Sequence, residues 1–269
     1  MDLSHLDLLA MLKRLCLATV ARRLAEFEER AAAEGWSHRE FLTYLVAEEV
    51  AHRAGTRVKK LAHQARFPFL KTIEEFDFLF QNSLRRQALG PFLGPELVTE
   101  GRNLILSGKP GRGKTHLAVA LAYRAIQNGF EARFVSAAAL IDELCAAAQA
   151  GTLREVTATY VQPHVLVIDE VGYLHHAEAA ANVLYGVIDQ RCLRRRPMIF
   201  TTNKPLRSWG DVLHDQQLAE ALLDRILERG QHLQLGGRSW RTRHLDSEPF
   251  SAPDGVSGNP ETPARGVPQ

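Results

Sequence analysis

The pattern of apolar and polar positions changes character partway along the chain. Through residues 6–66 apolar residues recur at helical spacing with charges between them. Leu6, Leu9, Leu12, Leu15 and Leu17 open this pattern, which continues through Ala25 to Ala33 and stops near Gly35. Ser37-His38-Arg39-Glu40 is a capping box: the Ser37 hydroxyl can accept from the Glu40 amide while the Glu40 side chain reaches back. It predicts a second helix with Phe41, Leu42, Leu45 and Val46 on one face, running to Arg66 and ended by Pro68. Residues 67–78 read as a connector with buried aromatics. A short helix is expected over Ser83 to Leu89, and Gly90-Pro91 and Gly94-Pro95 then punctuate the chain.

Beyond that point short apolar runs alternate with helical stretches. Residues 103–107, 132–135, 165–168, 198–202 and 232–235 read as strands. Residues 114–128, 136–150, 178–192 and 216–228 read as helices, the first closed by Gly129 as a left-handed cap. Strands apolar on both faces, separated by helices, predict a parallel sheet covered on both sides. The expected fold is therefore α/β with a five-stranded parallel sheet, preceded by a small helical N-terminal domain. The boundary falls near residue 68, giving a helical unit over 1–67 and an α/β unit over 68–245. Residues 246–269 are rich in Pro, Gly and Ser, with only Phe250 and Val256 to bury, and are expected to be disordered.

Composition narrows the class. The 269 residues are 45% hydrophobic and 24% charged, a globular balance with enough apolar side chains for a sizeable core. Net charge is only +2. Its distribution is uneven: four acids and one Arg follow Leu245, so residues 1–245 carry +5. Cys16, Cys145 and Cys192 form no CxxC pair, which argues against a zinc site or a disulfide framework. No apolar run reaches about 18 residues, so no membrane span is expected. The N-terminus lacks the basic start of a signal peptide, and a cytoplasmic location is expected.

The chemistry concentrates after the first strand. Gly108-Lys109-Pro110-Gly111-Arg112-Gly113-Lys114-Thr115 fits the phosphate-binding loop G-x-x-x-x-G-K-[ST] at every position. Its glycines let successive amides turn toward phosphate oxygens, and the helix that begins at Lys114 directs its positive end there. Lys114 would reach the β- and γ-phosphates of ATP, and Thr115 would offer its hydroxyl to Mg²⁺. Val165-Leu166-Val167-Ile168 then ends in Asp169-Glu170, which places two carboxylates at the carboxyl edge of the sheet, where open α/β folds bind ligands. Asp169 would hold the Mg²⁺ shell and Glu170 would polarise the attacking water. Asn203 follows the next strand; it can orient that water or form a turn. Arg225 can pair with Asp224 or Glu228 on the surface, or reach a neighbour's ATP as an arginine finger.

Taken together, Gly108 to Thr115, Val165 to Leu174, Thr201-Thr202-Asn203 with Trp209, and Leu222 to Leu227 resemble the IstB-like ATP-binding proteins. These are transposition helpers of the AAA+ class, related to DnaC-type helicase loaders and DnaA-type initiators. The resemblance runs to about Leu245 and includes the connector. It implies that Lys114 and Thr115 are the Walker A pair and Asp169 and Glu170 the Walker B pair. It further implies that Asn203 is sensor 1 and that Arg225 is a finger acting across a subunit interface in a homo-oligomer. Lys204 departs from the apolar residue more often found in the family. No sensor 2 arginine is identified; Arg241 and Arg243 are the nearest candidates. The implied function is an ATPase that assembles on double-stranded DNA and recruits or stimulates a transposase encoded nearby.

Two basic clusters bear on DNA. Arg53, Arg57, Lys59, Lys60, Arg66 and Lys71 lie in a stretch without an acid, and Arg53, Arg57 and Lys60 share a helical face suited to a row of phosphates. The same spacing would also suit a solvated face. Arg191, Arg194, Arg195 and Arg196 end a helix, where cations are favourable in any case. His175-His176 reads as a polar loop rather than a metal pair. Two other functions remain open at this level: a helicase loader built on the same ATPase module, and a small-molecule kinase, against which Glu170 and Asn203 argue.

Overall fold

The structure, a computed structural model, describes residues 7–172 and 179–243. His175-His176 and the tail from 246 lie outside the described residues. Three helices come first: α1 Leu8–Arg14, α2 Ala18–Glu34 and α3 His38–Gln64. The single periodic run read over residues 6–33 is broken, because Cys16 takes a left-handed backbone with φ 57°. The break is held from a distance. The Glu49 carboxylate, buried on α3, accepts from the Thr19 and Val20 amides at 3.0 and 3.3 Å and so caps α2. The capping box at Ser37 is present with both of its halves, a device that adds ~1 kcal/mol. Leu12, Val20, Phe27 and Leu45 form the small core of this bundle.

Helix α3 continues past that core. Val58, Leu61 and Ala62 pack on the α/β unit, Ala65 is buried there, and the Ala65 carbonyl accepts from the Phe134 amide at 2.8 Å. The second half of α3, which carries the basic stretch, thus leans on the α/β body rather than on the bundle. The connector region then forms a 3₁₀ turn at Arg86–Leu89 and two short helices, α4 Gly90–Leu93 and α5 Glu96–Thr99. The expected helix over Ser83 to Leu89 is confined to that turn, and the Gly-Pro punctuation opens helices instead. Pro91 sits in the first turn of α4, where its missing N–H has no intrahelical partner to lose.

The α/β body follows as β1 Asn103–Ser107, α6 Lys114–Gln127, β2 Ala132–Ser136, α7 Ala137–Gln149, α8 Leu153–Val161 and β3 Val165–Asp169. It ends with α9 Ala179–Leu193, β4 Met198–Thr202, α10 Trp209–Leu213, α11 Gln216–Leu227 and β5 Gly230–Gln234. Helix α8 went unread in the sequence. The strands form one parallel sheet in the order β2-β3-β4-β1-β5. Strands β1, β3 and β4 are buried at every position, as expected for a sheet covered on both faces. One face packs on α6, the connector and the end of α3. The other packs on α7 to α11, with Trp209 edge-on to Phe200.

Two buried polar side chains tie the sheet's amino edge. Asn103 donates to the Ile226 carbonyl at 3.0 Å and accepts from the Met198 amide at 2.9 Å. Arg191 is fully buried, and its guanidinium donates to the carbonyls of Tyr160, Val161, Pro163, His164 and Pro197. Burial, reinforced by Arg196, pushes its pKa down to about 9, so it is still charged at neutral pH. Arg191 is therefore an internal clamp between α8 and β4, distinct from the exposed arginines that follow it. Among the described residues no helix is long and apolar enough to cross a membrane.

Candidate nucleotide site

The phosphate loop leaves β1 at its carboxyl end, between β4 and β5. The Gly108 amide donates to the Thr202 carbonyl at 3.1 Å, which fixes the loop's start to β4. Gly113 has φ 85°, and a Cβ there would stand 2.6 Å from the Phe76 ring. The position thus requires glycine for both conformation and space. The Lys114 ammonium lies across the loop, donating to the Gly108 and Lys109 carbonyls at 2.7 and 3.0 Å. Burial lowers its pKa, and the carboxylates of Asp169 and Glu170 oppose that shift.

The acidic pair is held by hydroxyls. Thr115 donates to Asp169 at 3.0 Å, and Thr201 donates to the same carboxylate oxygen at 2.5 Å. The Thr201 hydroxyl in turn accepts from the Glu170 amide at 2.9 Å. Asp169 is buried at the strand end, whereas Glu170 is exposed and takes φ 59°. A left-handed backbone at a residue other than glycine costs ~1–3 kcal/mol. Here it turns the chain sharply after β3, and the Glu170 side chain lines the same cleft as Lys114 and Asn203.

That cleft has a volume of about 600 Å³. Its floor is the phosphate loop. One wall is the connector, through Phe69, Phe76, Phe80 and Gln81; the other is the segment after β5, through Trp240 and Arg241. Both walls are tied to the loop's backbone. Gln81 donates to the Arg112 carbonyl at 3.0 Å, and the Trp240 amide donates to the Gly111 carbonyl at 2.8 Å. Phe80 and Trp240 meet edge to face with centroids 5.0 Å apart. The sequence reading did not assign Gln81, Phe80 or Trp240 to the site. The available signal was an aromatic-rich connector just upstream of a phosphate loop. Of the two arginines considered near the C-terminus, Arg241 lines the cleft, and Arg243 stacks on the outer Trp240 ring at 4.0 Å.

Arg225 stands elsewhere. It lies at the end of α11, pairs with Asp189 at 3.3 Å, and lines a second hollow with Asn103, Arg195, Arg196, Glu228 and Arg229. That hollow is at the amino edge of the sheet, about 13 Å of strand away from the phosphate loop. Within one copy the Arg225 side chain does not enter the ATP cleft. Of the basic residues expected on α3, Arg53 is committed to the fold: it pairs with Glu49 at 2.7 Å and donates to the Cys16 carbonyl at 2.6 Å. These bonds fasten the α1–α2 turn, and the Arg53 side chain stays 56% exposed. Arg57 donates to the Gly129 carbonyl at 3.2 Å, while Lys59, Lys60 and Arg66 are exposed.

A parallel sheet in this order, a Walker loop and an acid pair at the end of β3 define a P-loop protein of AAA+ type. The chain belongs to the IstB-like ATP binding proteins, whose family profile matches residues 10–247. It is 35% identical to the ATP-binding protein of insertion sequence IS5376 from Geobacillus stearothermophilus over 86% of this chain and 91% of that one. To the corresponding protein of IS21 from Pseudomonas aeruginosa it is 33% identical, over 88% and 89%. Among solved structures, AMPPCP-bound DnaA from Aquifex aeolicus superposes with a TM-score of 0.52 at 20% identity, covering 65% of this chain and 53% of that one. That likeness supports the fold.

Proposed function

We propose that this protein is an ATPase that helps transposition by assembling on double-stranded DNA and recruiting or stimulating a transposase encoded nearby. The observation that carries the reading is a division of labour across the sheet. Lys114, Thr115, Asp169, Glu170 and Asn203 converge on one cleft, while Arg225 stands at the opposite edge. A finger so placed serves only a second copy. The insertion-sequence names of the relatives supply the transposition context.

The residues fit the expected ligands. The cradle at Gly108 to Gly113 has no room for added side chains at Gly113, and the Thr115 hydroxyl and Asp169 carboxylate lie together as hard oxygen donors suited to Mg²⁺. Mg²⁺, when bound, neutralises charge developing on the phosphate oxygens. Lys114 leaves its two loop carbonyls to hold the β- and γ-phosphates. Glu170 accepts a hydrogen bond from the attacking water, and Asn203 orients it. Arg225 from the adjoining copy stabilises the transferred phosphoryl group, and Gly108 to Thr115 hold its charge from the other side. Lys59, Lys60 and Arg66 on and after α3, with Arg53 and Arg57, give DNA a basic face.

The test is phosphate release measured with and without duplex DNA, alongside particle mass with a non-hydrolysable ATP analogue. Larger assemblies and faster turnover on duplex support the reading. A monomer with DNA-independent turnover would refute it, and preference for single-stranded DNA with binding to a replicative helicase would favour a loader instead.

A further inference from the structure

The sequence separates the basic stretch of α3 from the Arg194-Arg195-Arg196 run by more than half the chain. The fold joins them. Arg57 reaches the Gly129 carbonyl, and the next residue, Phe130, packs its ring on His164 with centroids 5.5 Å apart. His164 immediately precedes β3, and Arg196 closes the turn before β4, the strand paired with β3. The Leu166 amide bonds the Pro197 carbonyl at 3.2 Å, so these two turns lie side by side. Arg57 and Arg196 both act on the His164 imidazole. Arg195 and Arg196 then continue into the hollow that holds Arg225 and Arg229.

We infer that the amino edge of the sheet, from Arg57 on α3 past His164 to Arg194, Arg195 and Arg196, is one docking surface for the phosphate backbone of duplex DNA. This rests on the DNA-binding reading above and gives it a place. Three features favour a nucleic-acid backbone. First, two acids along this edge already have cationic partners, Glu100 with Arg102 and Glu228 with Arg229; a third, Glu131, faces His164, whose pKa burial lowers. That leaves Arg194, Arg195 and Arg57 exposed as the surplus. Second, the arginines sit on rigid supports. Helix α3 is anchored by Ala65, and the turn after α9 by the Arg191 clamp and by the Arg195 carbonyl, which would lie 2.6 Å from a Cβ at Gly101. Third, the row crosses the starts of β2, β3 and β4, ~10 Å of sheet edge, a length that spans several phosphates of one strand. An extended polyanion can engage the whole row, whereas a free phosphate would meet only part of it.

The surface abuts the Arg225 hollow. Duplex held there would lie beside the residue proposed to complete a neighbour's ATP site, which gives DNA a direct physical route to influence hydrolysis.

The experiment is duplex binding by fluorescence anisotropy of the full chain with an ATP analogue, from about 50 to 200 mM salt. Each lost phosphate contact lowers the slope of log K against log salt by ~0.9. Arg57→Gln with Arg194→Gln should reduce the slope by about two and weaken binding about tenfold or more at the lower salt. Arg22→Gln with Arg207→Gln, an equal charge loss at exposed positions on α2 and beyond the carboxyl end of β4, should leave the slope as it was. If the double variant melts early, each single variant should lower the slope by about one. Equal losses in both pairs, or no change in the first while wild type binds, overturn this surface and leave DNA binding intact. No duplex binding by wild type refutes both.

Discussion

The two edges of the sheet treat charge in opposite ways. At the carboxyl edge Lys114 and Asp169 already have internal partners: Lys114 rests on two carbonyls, and Asp169 takes hydrogen bonds from Thr115 and Thr201. At the amino edge Arg57, Arg194 and Arg195 are exposed. A compact site for a small ligand must be prewired, since misplacing a group by an ångström costs catalysis. A surface for a long polyanion can leave its cations solvated and exchange counterions when the partner arrives. Arg225 lies at the second edge, while the finger role proposed for it belongs to the first; in that proposal a second copy joins the two.

The sharpest way to break that contrast is Arg225→Ala. Turnover should fall about 10³-fold with ATP affinity kept, because the finger acts only in the transition state. Unchanged phosphate release would place the finger elsewhere. Glu170→Gln comes next, with turnover down about 10²-fold and nucleotide binding retained; a loss of binding instead would make Glu170 part of the nucleotide cradle. Arg191→Met sharpens the comparison from the other side, since this arginine sits at the amino edge but is satisfied internally. Removing it strands carbonyls in the core and should cost ~3 kcal/mol or more, seen as an early thermal transition. A wild-type melting curve would mean the clamp is dispensable.

The smallest effect concerns the helical bundle. The Arg53 guanidinium, bonded to Glu49, and the Val20 and Thr19 amides hold the Glu49 carboxyl below its ordinary 4.5. A depressed carboxylate contributes stability above its unfolded pKa and loses it as pH falls through the folded value. Amide exchange at Thr19 and Val20 should therefore accelerate on acidification below the ordinary carboxylate range, and in Glu49→Gln it should be fast at neutral pH. Exchange rates indifferent to both changes would remove Glu49 as the cap of α2.

The carboxyl edge was largely legible in the sequence because its chemistry is local. Gly108 to Thr115 is contiguous, and Asp169-Glu170 follows its own strand. The central strands β1, β3 and β4 were readable because burial on both faces leaves nearly unbroken apolar runs; the edge strands β2 and β5 are partly exposed and carry a weaker pattern. What escaped was assembled over distance. Gln81 and Trp240 reach the loop through backbone carbonyls that any sequence could supply. The break at Cys16 depends on Glu49, thirty residues on from Thr19. Helical spacing places Arg53 on the same face as Arg57 but does not report its bonds to Glu49 and the Cys16 carbonyl. Arg191 was indistinguishable in sequence from Arg194, yet three residues of helix separate a buried clamp from an exposed cation.

The claim that the ATP site is shared between copies is tested most directly by mixing two inactive variants. Lys114→Ala keeps Arg225 but loses its own phosphate loop function; Arg225→Ala keeps the loop but lacks the finger. In an equimolar mixture about a quarter of the interfaces pair an intact loop with an intact finger. Phosphate release on duplex DNA should then rise well above that of either variant alone. A mixture that stays at the level of its components, while still assembling with ATP, would contradict the shared site.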